Sequence, residues 1–233
     1  GKSSLSAFIA LRAALAGYRV AIFSLEMLAT SVVKRMVSSL AEIDSLVLSR
    51  GCVPVARAEE YRAAVGQMRS LEHRLMIDDS SKTLDEIHRA ATRMSIEGGL
   101  DLIVVDYLQL AAPRTGENRV GQVTIAAETL KEMAMRLNAA VLAPSQLSRQ
   151  ADGVRPQLCH LRESGAIEHT ASLVLLLDVQ QNRRWVNAII AKNRNGTSET
   201  VSLDWDRSLM RYLEEHHQGS GGSEMPWQNR GAA

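Results

Sequence analysis

Two hydrophobic rhythms alternate along this chain, one with the 3.6-residue period of a half-buried helix and one with the short apolar runs of buried strands. Residues 4–16 have the helical spacing, and Gly17 suits the stop of that helix. Arg19-Val20-Ala21-Ile22-Phe23-Ser24 is a β-branched run that predicts a strand. Helical spacing returns at Met27, Val32, Met36, Val37 and Leu40, and again over residues 55–71. Arg74 to Asp78 reads as a short strand. Thr83 with Glu86 three residues later is a capping-box start for a helix reaching Ile96, which Gly98-Gly99 then ends.

The strongest strand signal is Leu102-Ile103-Val104-Val105, closing on Asp106. A polar loop, residues 113–119, precedes a helix from about Gln122 to Leu137, and Ala140-Val141-Leu142-Ala143-Pro144 leads to Ser145-Gln146. Residues 148–156 are polar and punctuated by Gly and Pro, which predicts a mobile surface loop. Residues 172–177 form another apolar strand, and residues 185–191 and 199–205 flank Asn195-Gly196, a strong hairpin signal. The order βαβα followed by a hairpin predicts an α/β domain: a mainly parallel twisted sheet with helices on both faces and a C-terminal antiparallel hairpin. It spans residues 1–214, and the Gly- and Ser-rich residues 215–233 read as a flexible tail.

Bulk properties narrow the picture. With 233 residues, 45% hydrophobic and only 4% aromatic, the chain suits one sizeable aliphatic core. Lys and Arg total 27 against 26 acidic residues, so a nucleic-acid contact must come from a local patch and not from the field of the whole chain. Cys52 and Cys159 have no metal-ligand spacing and read as buried or idle thiols in a reducing compartment. No apolar run approaches the ~18–20 residues of a membrane span and no signal-peptide pattern opens the chain, so a cytoplasmic protein without membrane attachment is expected.

Candidate chemistry begins at the first residue. Gly1-Lys2-Ser3 is the end of a G-x-x-x-x-G-K-[ST] loop, whose backbone amides cradle phosphates, whose Lys reaches the β- and γ-phosphates and whose hydroxyl binds Mg²⁺. A bare GKS is a weak string, but here it opens a helix that returns to a strand. Ligands of an open parallel sheet bind beyond the carboxyl ends of its strands. Glu26, Asp106 and Gln146 follow three such ends. Asp106 with Ser3 makes a coherent Mg²⁺ site, Glu26 can polarise an attacking water, and Gln146 can sense a γ-phosphate. The blander alternatives are a turn-capping carboxylate, a helix-start carboxylate and a solvated amide.

Lys192 and Arg194 stand two apart beside Asn195-Gly196, so strand alternation sends both cations to one side, where they reach an outside anion or merely protect a sheet edge. Arg162, Glu163 and Gly165 lie in a turn whose Arg and free amides can contact nucleic-acid phosphates or simply cap a helix.

Taken together, the segments FSLEM (23–27), LIVVDYLQL (102–110), SQLSR (145–149), LRESGAIE (161–168) and AKNRNG (191–196) resemble the bacterial replicative DNA helicases of the DnaB family, in the family's order. The resemblance covers residues 1 to about 213. It implies a RecA-like P-loop NTPase motor that uses ATP and Mg²⁺, assembles as a homo-hexameric ring and moves 5′ to 3′ on single-stranded DNA, with a primase and a helicase loader as partners. By position it implies that Gly1, Lys2, Ser3 and Asp106 bind nucleotide and metal, that Glu26 activates water and that Gln146 senses the γ-phosphate. Lys192 and Arg194 would act on the neighbouring subunit's nucleotide, and Arg162, Glu163 and Gly165 would follow DNA phosphates. It further implies a fragment that starts inside its own phosphate loop. Asn193 and Pro144 depart from the family pattern but remove no proposed catalytic residue. The alternatives are another RecA-like ATPase, such as a recombination mediator or regulator, and a non-catalytic ring or loader-binding module.

Overall fold

The structure, a computed structural model, describes residues 1–111, 119–161, 164–179 and 185–214. The elements run α1 (Lys2–Leu15), β1 (Val20–Ser24), α2 (Ala29–Ala41), α3 (Ser45–Ser49), α4 (Ala58–Ser70), β2 (Leu75–Asp78), α5 (Leu84–Gly98), β3 (Leu102–Asp106), α6 (Leu108–Ala111), α7 (Arg119–Leu137), β4 (Ala140–Leu142), α8 (Ser164–Thr170), β5 (Leu173–Val179), β6 (Trp185–Asn193), β7 (Thr200–Asp206) and β8 (Arg211–Glu214). Short 3₁₀ turns occupy Val55–Arg57, Arg149–Ala151 and Leu158–His160. The tail expected at 215–233 lies outside the described residues, as do Arg162, Glu163 and most of the loop at 113–119. Among the described residues no helix is long and apolar enough to cross a membrane.

β1, β2, β3 and β4 form a four-stranded parallel sheet in the order β2-β1-β3-β4. Every residue of β1 is buried, as a central strand covered on both faces requires. The period-2 pleat sorts its side chains between two cores. Ala21 and Phe23 join Ile103 and Val105 against α5 and α7, through Ile87, Ala91, Val123, Ala126 and Leu130. Val20, Ile22 and Val104 face the other way, against Ala10, Leu11 and Ala14 of α1 and Val32 and Met36 of α2. A third cluster joins α2, α3 and α4 through Val37, Ala41, Ile43, Leu48 and Ala64.

Helix boundaries follow local chemistry. Thr83 Oγ1 accepts the Glu86 amide at 3.3 Å while Glu86 Oε2 accepts the Thr83 amide at 2.9 Å, the capping box expected from the sequence. At the other end of α5, Gly99 takes a φ of +93°, in the region where a Cβ would be strained.

The hairpin expected at the C-terminal end is the middle of a larger unit, a four-stranded antiparallel sheet in the order β5-β6-β7-β8. β5 carries Val174 and Leu176 into the same core as Phe23 and Val105. The connection between β6 and β7 is longer than a two-residue Asn-Gly turn. Pairing of β6 with β7 stops at Ile189 and Thr200, while β6 continues alongside β5 to Asn193. Asn193 organises the excursion, its Oδ1 accepting the Asn195 amide at 3.2 Å and its Nδ2 donating to the Thr197 carbonyl at 3.3 Å. β8 and α3 carry too few residues to show a period in sequence.

Candidate active site

Parallel pairing puts the carboxyl ends of β1 and β3 side by side, with Ser24 opposite Asp106 in register. The Leu25 amide donates to the Asp106 carbonyl at 2.9 Å, which ties the exit of β1 to the end of β3. Ser24, fully buried, closes the turn after β1: its Oγ donates to the Met27 carbonyl at 2.7 Å and accepts the Met27 amide at 3.3 Å. That turn carries Glu26, which is exposed.

Asp106 is only 7% exposed. Ser3, in the first turn of α1, donates its Oγ to Asp106 Oδ1 at 3.2 Å. Burial is the main influence on the Asp106 carboxyl and raises its pKa above the ordinary value; the Glu26 charge adds to this, while Ser3, Arg35 and Lys2 oppose it. A buried carboxylate in this condition is short of positive charge. Together with Ser3, Ser24 and Arg35 it lines a small cleft beneath the start of α1.

Lys2 and Gly1 are exposed at the N-terminus of α1, where Gly1 is the N-cap and no side chain caps the helix. Helix-start amides lack intrahelical partners and carry the positive end of the dipole. A hydroxyl and a carboxylate are hard oxygen donors of the kind Mg²⁺ takes alongside waters and phosphate oxygens, so the residues present fit that ion. Among the described residues no group of three or more His, Cys, Asp and Glu side chains could hold a metal by itself.

Gln146 follows β4, beside β3 in the sheet, and is half-buried. Its backbone N–H donates to Gln109 Oε1 at 3.3 Å, and Gln109 Nε2 donates to Ser145 Oγ at 2.8 Å. The Leu108 amide donates to the Pro144 carbonyl at 2.9 Å. α6 thus braces the segment that presents Gln146. Gln109 and Arg35 were not singled out from the sequence. The signal for Gln109 was its position in an otherwise apolar LQL segment, and for Arg35 its place one turn after Val32 at the edge of the buried face of α2.

Lys192 and Arg194 belong to a different neighbourhood. Lys192 Nζ donates to the Glu168 carbonyl and Arg194 Nη2 to the His169 carbonyl, so both cations sit on the C-terminal end of α8. The Arg194 amide donates to the Ser172 carbonyl at 3.0 Å, and Lys131 Nζ to Ser172 Oγ at 2.9 Å, anchoring the same corner. Gly165 is exposed in the first turn of α8. The structure therefore sets Ser3 and Asp106 in one cleft, with Glu26 and Lys2 near enough to act on the Asp106 charge, and sets Lys192, Arg194 and Gly165 around α8.

Comparison with known proteins shows the family and the fold. Residues 1–214 match the family described as DnaB-like helicase C terminal domain. The chain is 35% identical over 207 residues to the replicative DNA helicase DnaB of Geobacillus stearothermophilus, covering 83% of this chain and 45% of that one. It thus spans about half the length of the curated relatives it matches. Two solved structures superpose closely. One is an ATPase domain, with a TM-score of 0.82, 26% identity, and coverage of 91% of this chain and 81% of that one. The other is a DnaB-like replicative helicase studied for its interactions with primase, with a TM-score of 0.83, 26% identity, and coverage of 91% and 54%. The fold is RecA-like α/β, and the chain belongs to the family of DnaB-like helicase C-terminal domains.

Proposed function

We propose that this chain is the motor of an ATP-dependent replicative DNA helicase. It works as a homo-hexameric ring in the cytoplasm, hydrolyses ATP at subunit interfaces, and moves 5′ to 3′ on single-stranded DNA with a primase and a helicase loader as partners. The observation that carries this reading is the Ser3–Asp106 hydrogen bond at 3.2 Å, made where the start of α1 meets the ends of β1 and β3.

Each residue then has a role in phosphoryl transfer. Gly1 and Lys2 receive the phosphates on the amides and ammonium at the α1 N-terminus. Ser3 and Asp106 hold Mg²⁺, which when bound offsets charge on the phosphate oxygens. Glu26, exposed beside Asp106, orients the attacking water and accepts its proton. Gln146, held through Gln109, reports the γ-phosphate to the loop that follows it. Lys192 and Arg194 stabilise the charge developing on the neighbouring subunit's nucleotide, and Arg162, Glu163 and Gly165 follow the DNA backbone.

The test is ATP hydrolysis with and without single-stranded DNA, on protein carrying the whole phosphate loop and assembled as a verified ring. DNA-stimulated hydrolysis is expected. Hydrolysis indifferent to DNA would favour a RecA-like regulator, and no hydrolysis would favour a non-catalytic ring module.

A further inference from the structure

A second set of side chains meets the start of α1 from the side away from Asp106. Tyr212 of β8 is 4% exposed, and its Oη donates to the Gly1 carbonyl at 3.0 Å. The same carbonyl accepts the Leu5 amide at 2.9 Å, so it is held from two directions. Tyr212 stacks on Trp205 with ring centroids 5.6 Å apart and planes 2° from parallel, while Phe8 of α1 approaches at 5.9 Å, tilted by 54°. Strand pairing builds the stack, because Trp205 and Tyr212 are direct partners in the β7–β8 register.

The hairpin that carries the phenol is itself fixed. Asp206 Oδ1 accepts the Ser208 amide at 3.0 Å and the Leu209 amide at 3.1 Å. The Ser208 carbonyl accepts the Ser45 amide at 2.8 Å, and Arg211 pairs with Glu42 at 2.5 Å. Ser4 Oγ contacts Met210 Sδ at 3.5 Å. The turn between β7 and β8 is therefore pinned to α1 and to the α2–α3 connection.

A peptide unit is planar and trans, so its C=O and the following N–H point in opposite directions. Fixing the Gly1 carbonyl fixes the Gly1–Lys2 plane and with it the direction of the Lys2 amide, one of the α1 donors with no partner inside the helix. The approach is close: a Cβ on Gly1 would lie 3.1 Å from Tyr212 Oη and 3.4 Å from the Trp205 ring.

Resting on the nucleotide-binding reading above, we infer that Tyr212 is a positioning residue for the nucleotide phosphates. Its hydroxyl orients the Gly1–Lys2 peptide so that the Lys2 amide faces the phosphate, and Trp205 and Phe8 hold its ring in place. Burial pushes the phenol above its ordinary pKa, so the hydroxyl stays a proton donor through neutral pH. No part of this role requires the tyrosine to touch the nucleotide.

Tyr212→Phe keeps the ring and removes only the hydroxyl. In the longer protein with its whole phosphate loop, dissociation constants for a non-hydrolysable ATP analogue, inorganic triphosphate and adenosine are measured for the wild type, Tyr212→Phe and Ser3→Ala. Tyr212→Phe is expected to weaken the analogue and triphosphate by about five-fold, the size of one net hydrogen bond, and to leave adenosine unchanged. The KM for ATP should rise by a similar factor with kcat nearly constant, because the amide contact exists before and during reaction. Unchanged triphosphate binding, or an equal loss on adenosine, would overturn the positioning role alone. A wild type that ignores triphosphate, or a Ser3→Ala variant that binds it normally, would remove the nucleotide site and this role together.

Discussion

The parallel and antiparallel halves of the molecule treat their polar groups in opposite ways. In the parallel half every residue of β1 is buried and Asp106 is enclosed, with Ser3 on one oxygen and the charge of Glu26 nearby. In the antiparallel half every residue of β7 is at least partly exposed, and Lys192 and Arg194 rest on the backbone carbonyls of α8. A buried carboxylate has few alternatives and so defines a fixed place for a cation. Cations on backbone carbonyls, Arg194 exposed and Lys192 half-buried, can exchange those partners for an outside anion, since water and phosphate compete for the same donors. The difference suits the division of labour proposed above, in which one half would fix the nucleotide and the other would present charge to a neighbour.

The largest expected effect separates binding from turnover. Arg194→Ala in the assembled protein should lower DNA-stimulated hydrolysis by about a thousand-fold, the lower end of what an arginine finger contributes. Nucleotide affinity should stay within about two-fold, because the other contacts remain. Equal losses in affinity and turnover would place Arg194 in its own subunit's site and erase the division between halves.

Stability should divide along the same line. Phe23→Ala, at a fully buried ring in the parallel sheet, should cost about 3–5 kcal/mol in denaturant unfolding. Leu175→Ala on β5, 39% exposed, should cost well under half of that. Similar values for the two would show that both sheets bury their strands equally.

Asp106→Asn probes the enclosed charge. Hydrolysis should fall by about a few hundred-fold, as when one charge-stabilising group is removed from a site. The nucleotide-free protein should be at least as stable as the wild type in thermal unfolding, because a buried carboxylate short of positive charge becomes neutral. A large drop in melting temperature would mean that Asp106 is structural.

The smallest effect contrasts two carboxylates within the parallel half. At the end of β2, Asp78 would be raised by burial, but the hydroxyls and amides of Ser80 and Ser81 overcome this and hold its pKa at about 2. A depressed folded pKa stabilises above the unfolded value, and that stability disappears as pH falls through the folded one. The difference in stability between wild type and Asp78→Asn should therefore hold from neutral pH down to about 4 and shrink as pH approaches 2. A gap that does not change with pH would contradict those four hydrogen bonds.

The parallel half was legible in the sequence because its signals are local. Apolar runs gave β1 and β3, Thr83 and Glu86 gave the start of α5, and the rule for strand ends pointed to Asp106 and Gln146. Ser3 and Asp106 are 103 residues apart, and the phosphate-loop string with the strand-end rule paired them before the fold did. The antiparallel half was legible as the strand at 172–177 and a hairpin but not as one four-stranded sheet, because β8 is too short to show alternation. The contacts of Lys192 and Arg194 were hidden for another reason: their acceptors are main-chain carbonyls, which carry no residue signature. Tyr212 was missed because its partner is the carbonyl of Gly1, 211 residues away. Gln109 lies in the segment 102–110 that carries the resemblance, and only the fold shows that its two hydrogen bonds brace the segment bearing Gln146.

The division between halves is tested most directly by ATP hydrolysis in rings mixed from Arg194→Ala and Lys2→Ala subunits, each nearly inactive alone. If the nucleotide is held by one subunit and completed by its neighbour's cation, mixing restores intact interfaces and hydrolysis rises above that of either pure ring. If activity stays at the level of the pure rings at every mixing ratio, both residues serve one subunit's own site, and the division fails.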